Sequence, residues 1–403
     1  MKALICGAGI AGCALAWRLE RAGWDVELVE RAPAFRDGGY MIDFFGPGTA
    51  VAERMGLLPR LHELRYPFST LEYVDGKGMR TSRLRMTEDF TEVISLLRGD
   101  LARSIYAEVS SPVRYGTTVE AVEQADGEAG VSVLLTDGTR RQVDLLVGAD
   151  GVHSRVRELV FGPEQRYLRY LGHHVAAFIV DDAEVSRRTG AFYRMLTVPG
   201  LMAGAYALRG DRAALMFLRR DPDPALPDDP AVTLRRDYGD LGWILPDALR
   251  QCPQPPDLYY DPVTQVEMEG WSRGNVVLLG DACQAVSLFA GHGAALAMAG
   301  AWVLAEELGA AKGDMAGAMA RYEERMRPAV TQTQEFGRGF VGWMAPGSRW
   351  RIAARDWLVR AAALPGGKRM LMKSLTPTFH DPLTESATDR VAVGGSSSGR
   401  WGR

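Results

Sequence analysis

Three short glycine-and-acid segments hold the residue types and spacings most able to do chemistry in this chain. They are Gly7-Ala8-Gly9-Ile10-Ala11-Gly12 near the start, Gly148-Ala149-Asp150-Gly151 midway and Gly280-Asp281 late. Each follows an apolar run that reads as a buried strand, and each can bring bare backbone against a phosphate or a sugar hydroxyl. One such loop is weak evidence. Three in this order point to a single extended dinucleotide threaded through the whole chain. Beyond the last of them, Ala290, Gly291, His292, Gly293 and Ala294 lead into an apolar helical run. The free N–H groups and positive dipole end of such a helix suit a group that gains negative charge.

The elements that must position these residues follow from the hydrophobic pattern. Residues Ala3–Cys6 read as a strand, Ile10–Arg21 as a helix and Val26–Val29 as a second strand ending at Glu30, the opening of a Rossmann-type unit. Gly7 permits the tight turn, Gly9 the approach to a pyrophosphate and Gly12 close packing of helix on strand, while Glu30 is placed to accept from a ribose hydroxyl. FAD is the natural candidate for a dinucleotide that also reaches the two later segments.

Farther along, 38–46 is a glycine-bounded apolar segment and 48–56 a short helix, and a strand over 92–97 delivers Arg98 to a helix over 100–108. A hairpin is expected from 119–122 and 131–136 around Asp126-Gly127, then a strand over 144–147. Between about 166 and 266 the pattern turns β-rich, with runs at Val175–Val180, Phe192–Val198, Leu201–Leu208 and Ala213–Leu218. These predict an antiparallel sheet covering the substrate. Pro222–Pro230 reads as an exposed, mobile loop. A strand at Val276–Leu279, a helix from Gly293 past Leu304 and helical patterns over 314–326 and 350–362 complete the chain.

Bulk properties bound the partners. Lys and Arg total 47 against 50 Asp and Glu, a net charge of -3, which recommends neither nucleic acid nor an anionic membrane. Cys6, Cys13, Cys252 and Cys283 lack metal-ligand spacing and read as reduced thiols in a cytoplasmic protein; no metal is expected. The chain opens directly on a strand, with no room for a signal peptide, and no apolar run approaches the roughly 20 residues of a membrane span.

The three motifs together resemble the single-component, FAD-dependent aromatic hydroxylases, the class A flavoprotein monooxygenases, especially the shorter branch that includes the tetracycline-modifying enzymes. The resemblance covers about residues 1–330. It implies an α/β fold in which a Rossmann-like FAD-binding domain is interleaved with a β-rich (α+β) substrate domain and followed by C-terminal helices. The expected division is 1–165 for FAD, with substrate-layer insertions around 66–97, then 166–266 for substrate, 267–330 for FAD again, a helical segment 331–384 and a flexible tail 385–403. It implies cofactor contacts from Gly7, Gly9, Ala11, Gly12, Glu30 with Arg31 beside it, Arg98, Asp150, Asp281, Gly291, Gly293 and Ala294. The segment 144–157, DLLVGADGVHSRVR, would touch both FAD and a transient NADPH or NADH. The implied reaction uses O2 and a flavin hydroperoxide to hydroxylate a small or medium aromatic or polycyclic compound, as in secondary metabolism, by a monomer or homodimer. No catalytic base is identified.

Two positions depart from the family pattern. Gln284 stands where a histidine is usual, and Leu288, with Ser287 before it, where a proline faces the flavin. They keep open an FAD-dependent oxidase, reductase or cyclase, and a non-catalytic FAD protein that sequesters a ligand is the rival from another class. The bland readings are structural: His153, His173, His174 and His292 as core or surface histidines, and Tyr40, Asp43, Phe44, Tyr193, Phe217 and Arg219 as strand residues on possible pocket segments. Arg349, Arg351, Arg355 and Arg360 interleave with Trp350, Ile352, Trp357 and Leu358. This pattern suits an interfacial membrane helix or, preferably, a helix bridging the two domains with a solvated basic face.

Overall fold

The computed structural model describes all residues except 36, 37, 39, 68, 69, 86–92, 125–129, 256, 289, 290, 363–379 and 385–403. The expected tail 385–403, the turn around Asp126-Gly127 and Ala290 therefore lie outside the described residues.

The chain opens with β1 (Lys2–Cys6), α1 (Ile10–Arg21) and β2 (Asp25–Glu30), then β3 (Met41–Phe44), α2 (Pro47–Arg54), α3 (Leu58–Leu64), β4 (Thr70–Val74) and β5 (Arg80–Arg85). Next come β6 (Ile94–Leu97), α4 (Arg98–Tyr106), β7 (Val113–Tyr115), β8 (Val119–Glu123), β9 (Val131–Leu135), β10 (Arg140–Val143), β11 (Leu145–Gly148) and α5 (Arg155–Phe161). The middle holds β12 (Leu168–Asp181), α6 (Ala183–Thr189), β13 (Tyr193–Val198), β14 (Leu201–Leu208), β15 (Arg212–Arg220), α7 (Pro230–Tyr238), α8 (Leu245–Arg250) and β16 (Tyr259–Val266). The last part is β17 (Ser272–Arg273), β18 (Val276–Leu278), α9 (Asp281–Gln284), α10 (Gly293–Ala310), α11 (Met315–Met344) and α12 (Arg349–Ala362).

Two large sheets organise the molecule. One has six strands in the order β17-β18-β11-β1-β2-β7, parallel except where β17 meets β18. Its strands are almost continuously apolar, as burial on both faces requires. The other has seven strands, β16-β12-β15-β14-β13-β4-β5, antiparallel apart from the β13–β4 pair. Strands β4 and β5, from early in the chain, thus join strands from its middle. A two-stranded ribbon of β3 and β6 carries Asp43 opposite Ser95 and ends at Arg98.

The antiparallel sheet buries both faces. One packs on α7 and α8 through Phe178, Phe217, Leu234, Tyr238 and Leu245, the other on α11 and α12 through Val175, Met202, Leu218, Val341 and Met344. The region expected to be β-rich therefore also contains α6, α7 and α8. Asp182 caps α6 by accepting from Val185 N–H, and Asp229 caps α7 by accepting from Val232 N–H, with Pro230 in its first turn.

The C-terminal helices correct two expectations. The boundary placed at 330/331 falls inside α11, which runs unbroken through Pro328. Proline removes one backbone bond there, but Met326, Ala329 and Val330 on either side are buried and hold the helix on the core. In α12 the basic residues do not form one solvated face. Arg355 is buried, pairs with Asp356 at 3.0 Å and lies 4.1 Å above the Tyr73 ring, whereas Trp350 and Trp357 point outward. Among the described residues no helix is long and apolar enough to cross a membrane.

One ionic contact fastens the loop after β11 to the edge of the antiparallel sheet. His153 lies between Glu164, at 3.1 Å, and Asp261 on β16, at 3.3 Å. The two carboxylates raise its pKa to about 9 against the opposing effect of burial. Because the folded value exceeds the ordinary 6.5 or so, this stabilisation is complete below pH 6.5 and is lost as pH rises through 9. Compared by urea unfolding, wild type should exceed His153→Gln by up to about 1 kcal/mol at pH 6, the range for a solvent-exposed ion pair, and by nothing measurable at pH 10. A difference that is the same at both values would show that the imidazolium is not the stabilising species.

Candidate functional site

The glycine-and-acid segments meet at the carboxyl ends of three neighbouring parallel strands. β18, β11 and β1 lie side by side, with Cys6 opposite Gly148 and Gly148 opposite Leu278. Gly7, with φ 106°, turns immediately after β1, and a Cβ there would sit 2.3 Å from the Ala149 carbonyl oxygen. A Cβ on Gly12 would lie 2.0 Å from the Gly7 oxygen, and one on Gly280 would lie 2.7 Å from the Ala11 side chain. The first segment therefore meets both the second and the third at contacts that admit no larger residue, and Gly12 seats α1 against its own turn.

The same loops leave other glycines bare. Around Gly9, Gly151 and Gly291, apart from their chain neighbours, no heavy atom of the described residues lies within 4 Å of where a Cβ would be. Helix α1 starts from Gly9 with no side-chain cap and no acid in its first turn, and α10 likewise starts after His292 without a side-chain cap or acid. Two helix N-termini thus offer unsatisfied N–H groups and positive dipole ends, Gly293 and Ala294 forming the first residues of the second.

The carboxylates divide into two kinds. Glu30 accepts from Ala8 N–H at 3.0 Å and Ala32 N–H at 2.8 Å, so it fixes the first loop; its about four lone-pair positions leave capacity for ribose hydroxyls. Asp150 is committed to its own loop, accepting from Ser154 Oγ at 2.5 Å, Arg155 N–H at 2.8 Å and Val156 N–H at 3.1 Å. The bare part of that loop is Gly151 rather than the Asp150 carboxylate. Asp281 differs: its side chain is exposed and accepts no hydrogen bond from a described residue. The surrounding protein raises its carboxyl pKa, and the positive charge of Arg98 opposes the rise. Asp281 Oδ1 also lies 3.9 Å from the position a Cβ on Gly293 would take. Arg31 is exposed at the rim beside Glu30.

Arg98 begins α4, its N–H bonded to the Tyr40 carbonyl at 2.9 Å. The Tyr40 ring lies 5.6 Å from that of Tyr259 on β16, tilted by 44°, and burial lifts the Tyr40 hydroxyl to about 12 despite Arg98.

One residue that sequence reasoning included only as part of a longer segment proves central. Arg157 is fully buried and donates to the Ala282 carbonyl at 2.9 Å, the Val152 carbonyl at 2.7 Å and Glu164 at 3.2 Å. It ties the second loop to the third; an arginine in a helical run gives no sign of such burial. Gln284, expected near the flavin face, instead turns into the core and donates to Tyr322 Oη at 2.7 Å. Leu288 packs against the apolar cluster of the sheet and α11 that Tyr193, Met216 and Trp343 also border. Ser287 between them takes φ 78°, an unusual conformation for a non-glycine residue.

The expected pocket segments separate as well. Phe44 is core, Phe217 stacks on Phe178 toward α7, and Arg219 pairs with Asp221 and Asp237. Asp43 accepts from Ser95 Oγ at 2.5 Å, and its carboxyl is raised by burial near Tyr193 and Tyr206. His174 contacts Tyr260 Oη at 3.3 Å, and the His292 ring meets Phe45 edge-on at 4.3 Å. Among the described residues no group of three metal-ligating side chains occurs.

A parallel sheet with glycine turns at the carboxyl ends of adjacent strands, leading into uncapped helices, defines a dinucleotide-binding protein of Rossmann-like fold. A family model for an FAD binding domain matches residues 1–181. A flavin-dependent monooxygenase from an unknown prokaryotic organism is 31% identical over 350 residues, 84% of this chain and 88% of the relative. An uncharacterised protein of Mycobacterium tuberculosis is 36% identical over 346 residues, 82% of this chain and 91% of its own. The crystal structure of tetracycline destructase Tet(55) matches with a TM-score of 0.78 at 28% identity, over 94% of this chain and 98% of that one. The chain belongs to the FAD-dependent aromatic hydroxylase family of flavoprotein monooxygenases.

The residues present fit FAD, since bare backbone at three turns, two anion-seeking helix ends and a carboxylate without a protein donor are what a pyrophosphate, a ribityl chain and a flavin ring require. Asp281→Ala should weaken FAD binding about 10- to 150-fold, the value of a charge-assisted hydrogen bond of roughly 1.5–3 kcal/mol. Equal FAD occupancy of mutant and wild type after gel filtration would remove Asp281 from the site.

Proposed function

We propose that this flavin-dependent monooxygenase transfers one atom of O2 to a small or medium aromatic or polycyclic compound, using NADPH or NADH as the electron source. The observation that carries this reading is the position of Leu288. It lies seven residues beyond Asp281, yet packs in one apolar cluster with Tyr193, Met216 and Trp343. An aromatic-lined surface of the antiparallel sheet and α11 thus adjoins the loop that carries the last cofactor motif. Such a surface favours flat, apolar substrates and keeps water from the reacting atoms.

Bound FAD would supply hydride acceptance and activation of O2. The chain's own residues would do the rest. The N-terminus of α10 would stabilise negative charge on the reduced ring, Asp281 and Arg98 would hold the chain that carries it, and Glu30 the adenosine end. The expectation that Gln284 alters oxygen chemistry loses its geometric support, because its amide is engaged with Tyr322 behind the loop.

The reading is tested with 18O2 and a panel of phenols and fused-ring compounds. It predicts a product heavier by one 18O atom, formed in step with consumption of one reduced nicotinamide. Hydrogen peroxide formed without oxygenated product would establish an oxidase, and bound flavin that no nicotinamide reduces would establish a sequestering protein.

A further inference from the structure

We propose that the corner formed by the start of β12, the end of β15 and the turn between α11 and α12 is a binding site for a phosphate group, lined by no residue of the three glycine turns. His173 and Arg220 stand directly opposite one another on β12 and β15, so both side chains leave the sheet on one face. That face is the one covered by α11, as the burial of Leu218 against Val341 and Met344 shows. Strand β12 is irregular at this point. Its register with β16 shifts between Tyr170 and His174, and Gly172 adopts φ 72°, a distortion that re-aims side chains at the end of a strand.

The helical side of the corner supplies space instead of side chains. Gly342, Ala345 and Gly347 face a cavity of ≈ 200 Å³ that Arg220, Arg351 and His173 also line. Gly347 leaves the Arg220 guanidinium room to enter this space, a Cβ there falling 2.2 Å from its Nη1.

The charges around the cavity are unbalanced. Among the described residues neither Arg220 nor Arg351 has a carboxylate within ion-pair distance, whereas the adjacent Arg219 holds Asp221 and Asp237 and the nearby Arg355 holds Asp356. Arg351 rests only on the Trp350 ring, at 5.4 Å. His173 is 8% exposed, and its Nδ1 donates to the Leu171 carbonyl at 2.8 Å. Its Nε2 is buried without a partner, and in the neutral ring that nitrogen is an acceptor. An anion that keeps one P–OH, either hydrogen phosphate or the monoanion of a phosphate monoester, satisfies all three groups at once. Its oxygens accept from the two guanidinium groups, and its remaining P–OH donates to Nε2. Sulfate, which carries no proton near neutrality, cannot make the last bond.

The test is isothermal titration of the FAD-loaded enzyme at about pH 6, where inorganic phosphate and a large share of phenyl phosphate keep a P–OH, with inorganic phosphate, phenyl phosphate and sulfate. Saturable one-site binding of a phosphate is expected, weakened at least ~10-fold in Arg220→Met and in Arg351→Met, as for loss of a charge-assisted hydrogen bond, and unchanged in Arg60→Met. Tighter binding of phenyl phosphate would identify a phosphorylated organic ligand, and tighter binding of inorganic phosphate the free anion. Absence of saturable binding, equal affinity for sulfate, or binding unaffected by both arginine substitutions would overturn the assignment.

Discussion

The structure depends on the mutual contact of three backbone turns at one end of a parallel sheet. Gly7 lies against Ala149, Gly12 against Gly7 and Gly280 against Ala11, each at a distance that a single methyl group would violate. Segments from the start, middle and late part of the chain can meet this closely only because β1, β11 and β18 are hydrogen-bonded neighbours running in one direction. Strand direction sets where the turns fall, and the missing side chains let them touch. The open backbone at these turns follows from both, since glycines needed for contact alternate with glycines whose faces stay open.

The polar groups around the turns share the work in a way their residue types do not reveal. Glu30, Asp150 and Arg157 are consumed largely in holding loops: the first by two backbone amides, the second by the start of α5, the third by carbonyls of the second and third loops. Their hydrogen bonds within the protein account for the shape of the site. What remains available is a smaller set, chiefly Asp281, Arg98 and the ends of α1 and α10. A buried arginine such as Arg157 costs solvation that only near-complete hydrogen bonding can offset, which is why it joins two loops at once.

Much of this was legible from residue order. The opening β1-α1-β2 unit falls where the apolar pattern and glycines put it, and Arg98 stands at the end of a strand as expected. The antiparallel sheet was visible from its alternating runs. Three features were not. Helices α6 and α7 carry capping aspartates that signal a helix start, but the surrounding β-rich pattern outweighed them. Helix α11 passes through Pro328 because burial on both sides outweighs the lost backbone bond. The directions of Gln284 and Arg355 depend on partners far away in sequence, Tyr322 for one and Tyr73 for the other. Local pattern reports which residues lie on an element; it does not report which distant group completes a hydrogen bond.

The central claim, that the three turns build one FAD site, is tested most directly at Gly9. This residue has an ordinary φ of -82°, and apart from its chain neighbours no atom of the described residues lies within 4 Å of its missing Cβ, so a side chain there starts out into open space. Titration of wild type and Gly9→Leu with FAD, followed by flavin fluorescence alongside urea unfolding of the apoproteins, separates binding from folding. The account predicts one FAD bound per wild-type chain, and in the variant loss of that binding with an unfolding midpoint that is essentially unchanged. Full FAD binding by the variant, or no binding by wild type, would contradict it.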